Sequence, residues 1–105
     1  MSKWRRYEVQ LPLQFNDGKP VPEAWIGDAV LEIVDQFDAA SLEPQIIEGR
    51  WRHEGTVYQD RLVKILIVVP DLAANRRWMK EFKSRWKKRL KQIELWMVSH
   101  PIRVE

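Results

Sequence analysis

Hydrophobic and polar residues alternate strictly near the start of the chain. Tyr7, Val9, Leu11, Leu13 and Phe15 fall on one side, and Arg6, Glu8, Gln10 and Gln14 on the other. That period predicts a half-buried strand over residues 4–15. Pro12 has no N–H to give a ladder, which puts the end of the pairing, or a bulge, near Leu11. Asn16-Asp17-Gly18-Lys19-Pro20 is a turn cluster. The period then changes. Ile26, Ala29, Val30, Ile33, Val34 and Phe37 recur at helical spacing over residues 23–38, after a Pro22 suited to a helix's first turn. Asp28, Glu32 and Asp35 take the opposite face, and the helix is expected to fade between Asp38 and Ser41.

Residues 45–52 read as a second strand, with Ile47 and Trp51 on one face and Glu48, Arg50 and Arg52 on the other. Glu54-Gly55 supplies a turn, and Thr56 to Val69 returns as a long strand. Its segment Leu62–Val69 is almost wholly apolar and β-branched, with Lys64 its one charge. A run of this kind is buried on both faces or nearly so. Asp60 and Arg61 interrupt the alternation and mark a candidate bulge. Pro70-Asp71 ends the strand, with Asp71 the expected N-cap of a second helix. Trp78, Met79, Phe82, Trp86, Leu90 and Ile93 form that helix's apolar stripe; Arg76, Lys80, Lys83, Lys87 and Lys91 lie outside it. Glu94 to Val98 is the last strand. No linker, low-complexity tract or repeat divides the chain, so residues 1–105 are expected to form one domain.

The order β-α-β-β-α-β predicts an α+β, ferredoxin-like sandwich. Its four-stranded antiparallel sheet has spatial order 4-1-3-2, with both helices on one face. The uncovered face is expected to present Arg6, Glu8, Gln10, Glu48, Arg50 and Lys64 together with Leu62, Leu66 and Val68. That mixture is too apolar for a solvated face and too large for a comfortable monomer. It predicts a homo-oligomer, a dimer or trimer, built through this face or the edge of the second strand.

Composition narrows the function classes. The absence of cysteine excludes disulfides and thiolate chemistry. No apolar run approaches the roughly 20 residues of a membrane span, and no leader is visible behind Met1-Ser2-Lys3-Trp4-Arg5-Arg6. The expected setting is the cytoplasm. Six tryptophans are spread over the chain from Trp4 to Trp96, which argues for packing more than for one aromatic site.

Charge is segregated. Residues 76–91 hold nine of the eighteen Lys and Arg (Arg76, Arg77, Lys80, Lys83, Arg85, Lys87, Lys88, Arg89 and Lys91) against one acid, Glu81. Residues 23–38 hold five acids and no base, while net charge is only +3. The basic set Arg76, Arg77, Lys80, Lys83, Lys87, Lys88 and Lys91 is a candidate nucleic-acid surface. Three features weigh against it. Outer-face charge is ordinarily solvation. An acidic helix lies alongside. The sheet's outward Glu8, Gln10, Lys64 and Leu66 offer no stacking platform. The outward acids and lysines of the two helices are expected to pair weakly, leaving a two-signed face suited to docking.

Three segments, Gly49-Arg50-Trp51-Arg52-His53-Glu54-Gly55, Tyr58-Gln59-Asp60 and Trp96-Met97-Val98-Ser99-His100-Pro101-Ile102, resemble those of small uncharacterised bacterial proteins of about this length. More distantly, the arrangement is similar to the CutA and nitrogen-regulatory P-II-like proteins. Their second hairpin carries Trp or Tyr with a following Gly, as Trp51 and Gly55 do here. This resemblance implies a ferredoxin-like chain that assembles as a trimer through long hairpins. The Cys-bearing second strand of CutA and the P-II nucleotide loop are absent. As an analogy of fold, it carries no function.

The hairpin supplies the candidate ligand set: Arg50, Trp51, Arg52, His53, Tyr58 and Arg61. Two arginines flanking a tryptophan suit an anionic ligand, carboxylate or phosphate; the plainer alternative is a charged edge guarding against strand pairing. His53 and His100 are the only histidines, too few and too scattered for a metal centre. No nucleophile elbow, phosphate loop or dinucleotide fingerprint is present, so no cofactor is expected. The sequence leans away from an enzyme and toward a self-associating binding or regulatory module. The alternatives are nucleic-acid binding by the second helix, and a small-molecule enzyme with an inter-subunit site lined by Arg50, Arg52, His53 and Tyr58.

Overall fold

The computed structural model describes residues 3–105; Met1 and Ser2, the start of the segment read for a leader, lie outside them. The elements follow as β1 (Trp4–Pro12), α1 (Glu23–Phe37), β2 (Ser41–His53), β3 (Thr56–Pro70), α2 (Ala73–Arg89) and β4 (Met97–Ile102). The strands form one antiparallel sheet in the order β2-β3-β1-β4, the expected ferredoxin-like topology.

Alternation sorts the two faces of the sheet. Tyr7, Val9 and Leu11 of β1 and Val63, Ile65, Ile67 and Val69 of β3 are buried against the helices. Ile26, Ala29 and Ile33 come to meet them from α1, and Met79, Phe82 and Trp86 from α2. Each of the Val, Leu, Ile, Phe and Met side chains among them stabilises the fold by about 1.5–3 kcal/mol on burial. The opposite face carries Arg6, Glu8 and Gln10 beside Leu62, Lys64, Leu66 and Val68. Lys64 is paired there with Glu8 at 3.3 Å across the β1–β3 ladder.

Several local expectations are corrected. Asp71 does not cap α2. The N-cap is Leu72, without a side-chain cap bond, because two guanidiniums claim the Asp71 carboxylate: Arg5 Nε at 3.1 Å and Arg76 Nη1 at 2.6 Å. Ile93 is not in the helical stripe. The backbone leaves the helix with Lys91 at φ 54, the Gln92 N–H bonds back to the Lys87 carbonyl, and Ile93 is 38% exposed. β2 starts at Ser41 instead of residue 45, and its irregularity lies between Glu43 and Ile47, around Pro44; Asp60 and Arg61 pair regularly with Gly49 and Glu48. β4 starts at Met97, three residues later than the pattern suggested.

β1 ends at Pro12, opposite Leu62. Beyond that point β2 and β3 continue as a two-stranded ribbon to His53 and Thr56. The ribbon closes on Glu54 and Gly55, with φ 48 and 80, the two left-handed residues of a tight hairpin turn. The Leu13 N–H still bonds to the Arg61 carbonyl at 2.8 Å, so the residues of β3 that overhang the sheet are Thr56–Asp60, a reach of about 17 Å. The long axis of the molecule is 46 Å against 29 and 24 Å for the others.

Candidate functional site

The ribbon divides the hairpin residues between its faces. Directly opposed residues point the same way, so the ladder places Ile47, Gly49, Trp51 and His53 with Tyr58, Asp60 and Leu62 on the open side of the sheet. Glu48, Arg50 and Arg52 stand with Val57, Gln59 and Arg61 on the side of the helices, all exposed. Of the ligand set read from the sequence, Trp51, His53 and Tyr58 are therefore together, while Arg50, Arg52 and Arg61 face away from them. Glu48 and Arg50, expected on the uncovered face, stand on the helix side. The strand alternates as read, but the Trp51 side is the open one.

The open side of the ribbon is ordered by its own contacts. Trp51 stacks on Tyr58 with ring centroids 4.6 Å apart and an interplanar angle of 19°. Its indole Nε1–H donates to Asp60 Oδ2 at 2.6 Å. Both contacts fix the orientation of the ring. Gly49, between Trp51 and Ile47 on this face, leaves the ribbon's surface open; a Cβ there would stand 3.3 Å from Leu62 Cδ1.

Where β1 stops, a notch of about 380 Å³ opens between the ribbon and the α2–β4 connection. Gly49, Trp51, Asp60 and Leu62 line one wall, Gln10 and Pro12 the base, and Gln92, Glu94, Leu95 and Trp96 the other wall; Arg50 also borders it. Leu95 is anchored in the core, whereas Trp96 is 58% exposed. Gln92 is buried, and its Nε2 donates to the Leu90 carbonyl at 3.0 Å. Glu94 Oε1 accepts from Lys83 Nζ at 3.1 Å and from the Leu95 N–H at 2.9 Å. Of this lining only Arg50 and Trp51 were in the ligand set read from the sequence. Its one linear signal is a glycine inside a strand, which marks a close approach or a ligand.

The basic helix is partly neutralised. Arg85 pairs with Glu32, and Arg89 Nη2 reaches Asp28 Oδ2 at 3.3 Å. Trp86 Nε1–H donates to Glu32 Oε2 at 2.9 Å. The expectation of weak pairing between the helices is thereby corrected: Asp28 and Glu32 lie on the flank of α1 that meets α2, within reach of arginine. Arg89 also lies over the rings of Trp25 and Trp86, at 4.4 and 4.6 Å. Of the candidate nucleic-acid residues, Arg76 and Lys83 are engaged by Asp71 and Glu94. Arg77, Lys80, Lys87, Lys88 and Lys91 have no ion-pair partner among the described residues.

Two carboxyls titrate below their ordinary range. Asp71 is lowered chiefly by the hydrogen bond from Arg5, then by Arg76, against the opposing effect of desolvation. Glu94 is lowered by the bonds from Lys83 and the Leu95 amide. A carboxyl depressed in the folded state contributes stability above its unfolded pKa and loses it as pH falls through the folded value. Acidification from about pH 5 to about pH 2 is therefore expected to lower the urea midpoint. D71N should flatten part of that slope; an unchanged slope in D71N would contradict the assignment.

His53 and His100 are far apart along the open face, the first at the hairpin tip 3.8 Å from Glu54 and the second paired in register with Arg6. No group of three or more His, Asp or Glu suited to a metal occurs among the described residues.

No family model and no curated protein matches the chain. Solved structures do match in fold. A phage SAM lyase in complex with S-methyl-5′-thioadenosine superposes with a TM-score of 0.72 at 12% identity, over 99% of this chain and 92% of that one. A phage SAM lyase in the apo state gives 0.66 at 13% identity, over 98% and 91%. CutA from Synechococcus elongatus gives 0.61 at 7% identity, over 97% and 79%. The resemblance to CutA-type folds expected from the sequence holds, and at these identities it is a likeness of fold.

Proposed function

We propose that the protein is a single-domain, self-associating binding module, its copies joined through the open sheet face and the overhanging ribbon, with a small ligand held in the notch. One observation carries this reading: a complete face of the sheet has no covering layer. Val68 is 44% exposed there, Leu66, Val98 and Ile102 are half-buried, and Trp96 stands exposed at one end. An apolar surface of this extent ordinarily marks an interaction site. The outer backbone of β2 adds an unpaired edge, interrupted by the irregularity at Pro44. The trimer implied by the CutA resemblance is one assembly of this kind.

Light scattering at micromolar concentration is expected to give the mass of a dimer or trimer, and V68E to shift it to monomer. A monodisperse wild-type monomer would refute the reading. A cytoplasmic setting belongs to the same proposal; among the described residues no helix is long and apolar enough to cross a membrane.

A second reading, a small-molecule enzyme with a site at a subunit junction, is favoured by the fold shared with a phage SAM lyase over 99% of the chain. Incubation with S-adenosylmethionine, followed by chromatography, tests it directly; substrate left intact by assembled protein removes that substrate. Nucleic-acid binding is supported less, since four of the nine basic residues of 76–91 are held by carboxylates.

A further inference from the structure

We propose that the notch binds a flat heteroaromatic ring bearing an amino group and no phosphate, a purine nucleoside of the adenosine type being the simplest case. The inference rests on the reading of the protein as a binding module and adds the chemistry of its ligand.

Size comes first. A space of about 380 Å³ is at the small end of ligand sites, which run from about 300 to about 1,000 Å³. It suits one fused ring with a modest appendage. The walls come next. Trp51 is held in place by the Tyr58 stack and the Asp60 hydrogen bond, so its ring is preorganised and little ordering is required on binding. Trp96 is an exposed indole on the lining, contributed by the α2–β4 connection. Indole rings accept any flat π-system as a stacking partner.

The polar edge decides the class. Asp60 uses Oδ2 for the indole N–H, and no donor among the described residues reaches its Oδ1. Gln92, a buried side chain, commits its amide N–H to Leu90; its Oε1 has no donor among the described residues. Two free acceptors in a largely apolar notch call for a ligand that donates, as an exocyclic amine does. Phosphate is disfavoured. Lys83 is taken by Glu94, Arg50 borders the notch while its place in the ladder sends its side chain to the other face of the ribbon, and the Asp60 and Glu94 carboxylates on the lining repel an anion.

Isothermal titration of the assembled protein with adenosine, purine riboside and ATP tests this. Purine riboside keeps the sugar and ring but carries hydrogen in place of the amino group, so its ring edge has no donor. Adenosine is expected to bind saturably, purine riboside at least about tenfold more weakly, and ATP more weakly than adenosine. D60N should narrow the gap between adenosine and purine riboside. W96A, at an exposed position outside the core, should weaken adenosine binding without changing the thermal midpoint. Equal affinity for adenosine and purine riboside, preference for ATP, or no binding of adenosine would each overturn the inference. Light scattering on the same samples reports assembly separately, so a protein that assembles but ignores nucleosides loses only this inference.

Discussion

Replacing Trp86 with alanine is expected to cost about 3–5 kcal/mol of folding stability. Trp86 is 2% exposed, and its ring lies 6.2 Å from that of Phe82, which stacks in turn on Trp78 at 5.5 Å. Truncation removes a buried indole between α1 and α2 and leaves a cavity the helices fill only partly. It also takes the N–H donor from Glu32. A domain of this length has about 5–15 kcal/mol in hand, so W86A should unfold at far lower urea. Trp86→Phe separates the two contributions. It keeps much of the packing and loses the donor, for a penalty of about 1–2 kcal/mol. A W86A midpoint close to wild type, with an unchanged denaturant slope, would contradict the packing described.

Arg89→Glu should have the next largest effect, about 2–3 kcal/mol, given cation–π contacts of roughly 0.5–1 kcal/mol each at exposed sites. The wild-type guanidinium lies over both Trp25 and Trp86 and reaches Asp28. The glutamate loses all three contacts and sets a third carboxylate beside Asp28 and Glu32. Arg89→Lys keeps the charge and loses the planar stack, so its loss should be smaller, about 1 kcal/mol. Added salt discriminates further: it screens the new repulsion in R89E, so part of that penalty should fade between low and molar salt, while the R89K penalty should hardly move. Equal stability of R89E and wild type at low salt would mean that the helix seam does not depend on this residue.

What the sequence made legible was whatever repeats with a period. β1, α1, β3 and the apolar stripe of α2 each have one, and their order was enough for the topology. The turn at Glu54-Gly55 was legible from its glycine. Features that depend on which of two neighbours wins were not. Asp71 has the side chain of an N-cap, yet two arginines distant in sequence or one helical turn away hold it instead. Asp28 and Glu32 look outward on a helical projection, but the flank they occupy is set by where α2 packs. Arg85 and Arg89 are long enough to cross the seam, which lysines on the outer face do not do. Likewise, alternation along β2 separated Trp51 from Arg50 and Arg52, but could not say which group faced the helices. The notch was illegible for a simpler reason. It joins residues 10–12, 49–51, 60–62 and 92–96, and only the register of the sheet brings these together.

The overhanging ribbon also bears on how the chain finds its fold. β2 and β3 meet across a two-residue turn, so their pairing closes the shortest loop in the sheet. β1 must meet β4 from far along the chain, as in the Arg5–Ser99 contact between residues 94 positions apart. Loop closure grows costlier only slowly with length, but distant pairings form late. The Trp51–Tyr58 stack needs neither β1 nor β4. The ribbon is therefore the part of the sheet with the shortest loop to close, and mutations in it are expected to slow folding more than mutations in β4.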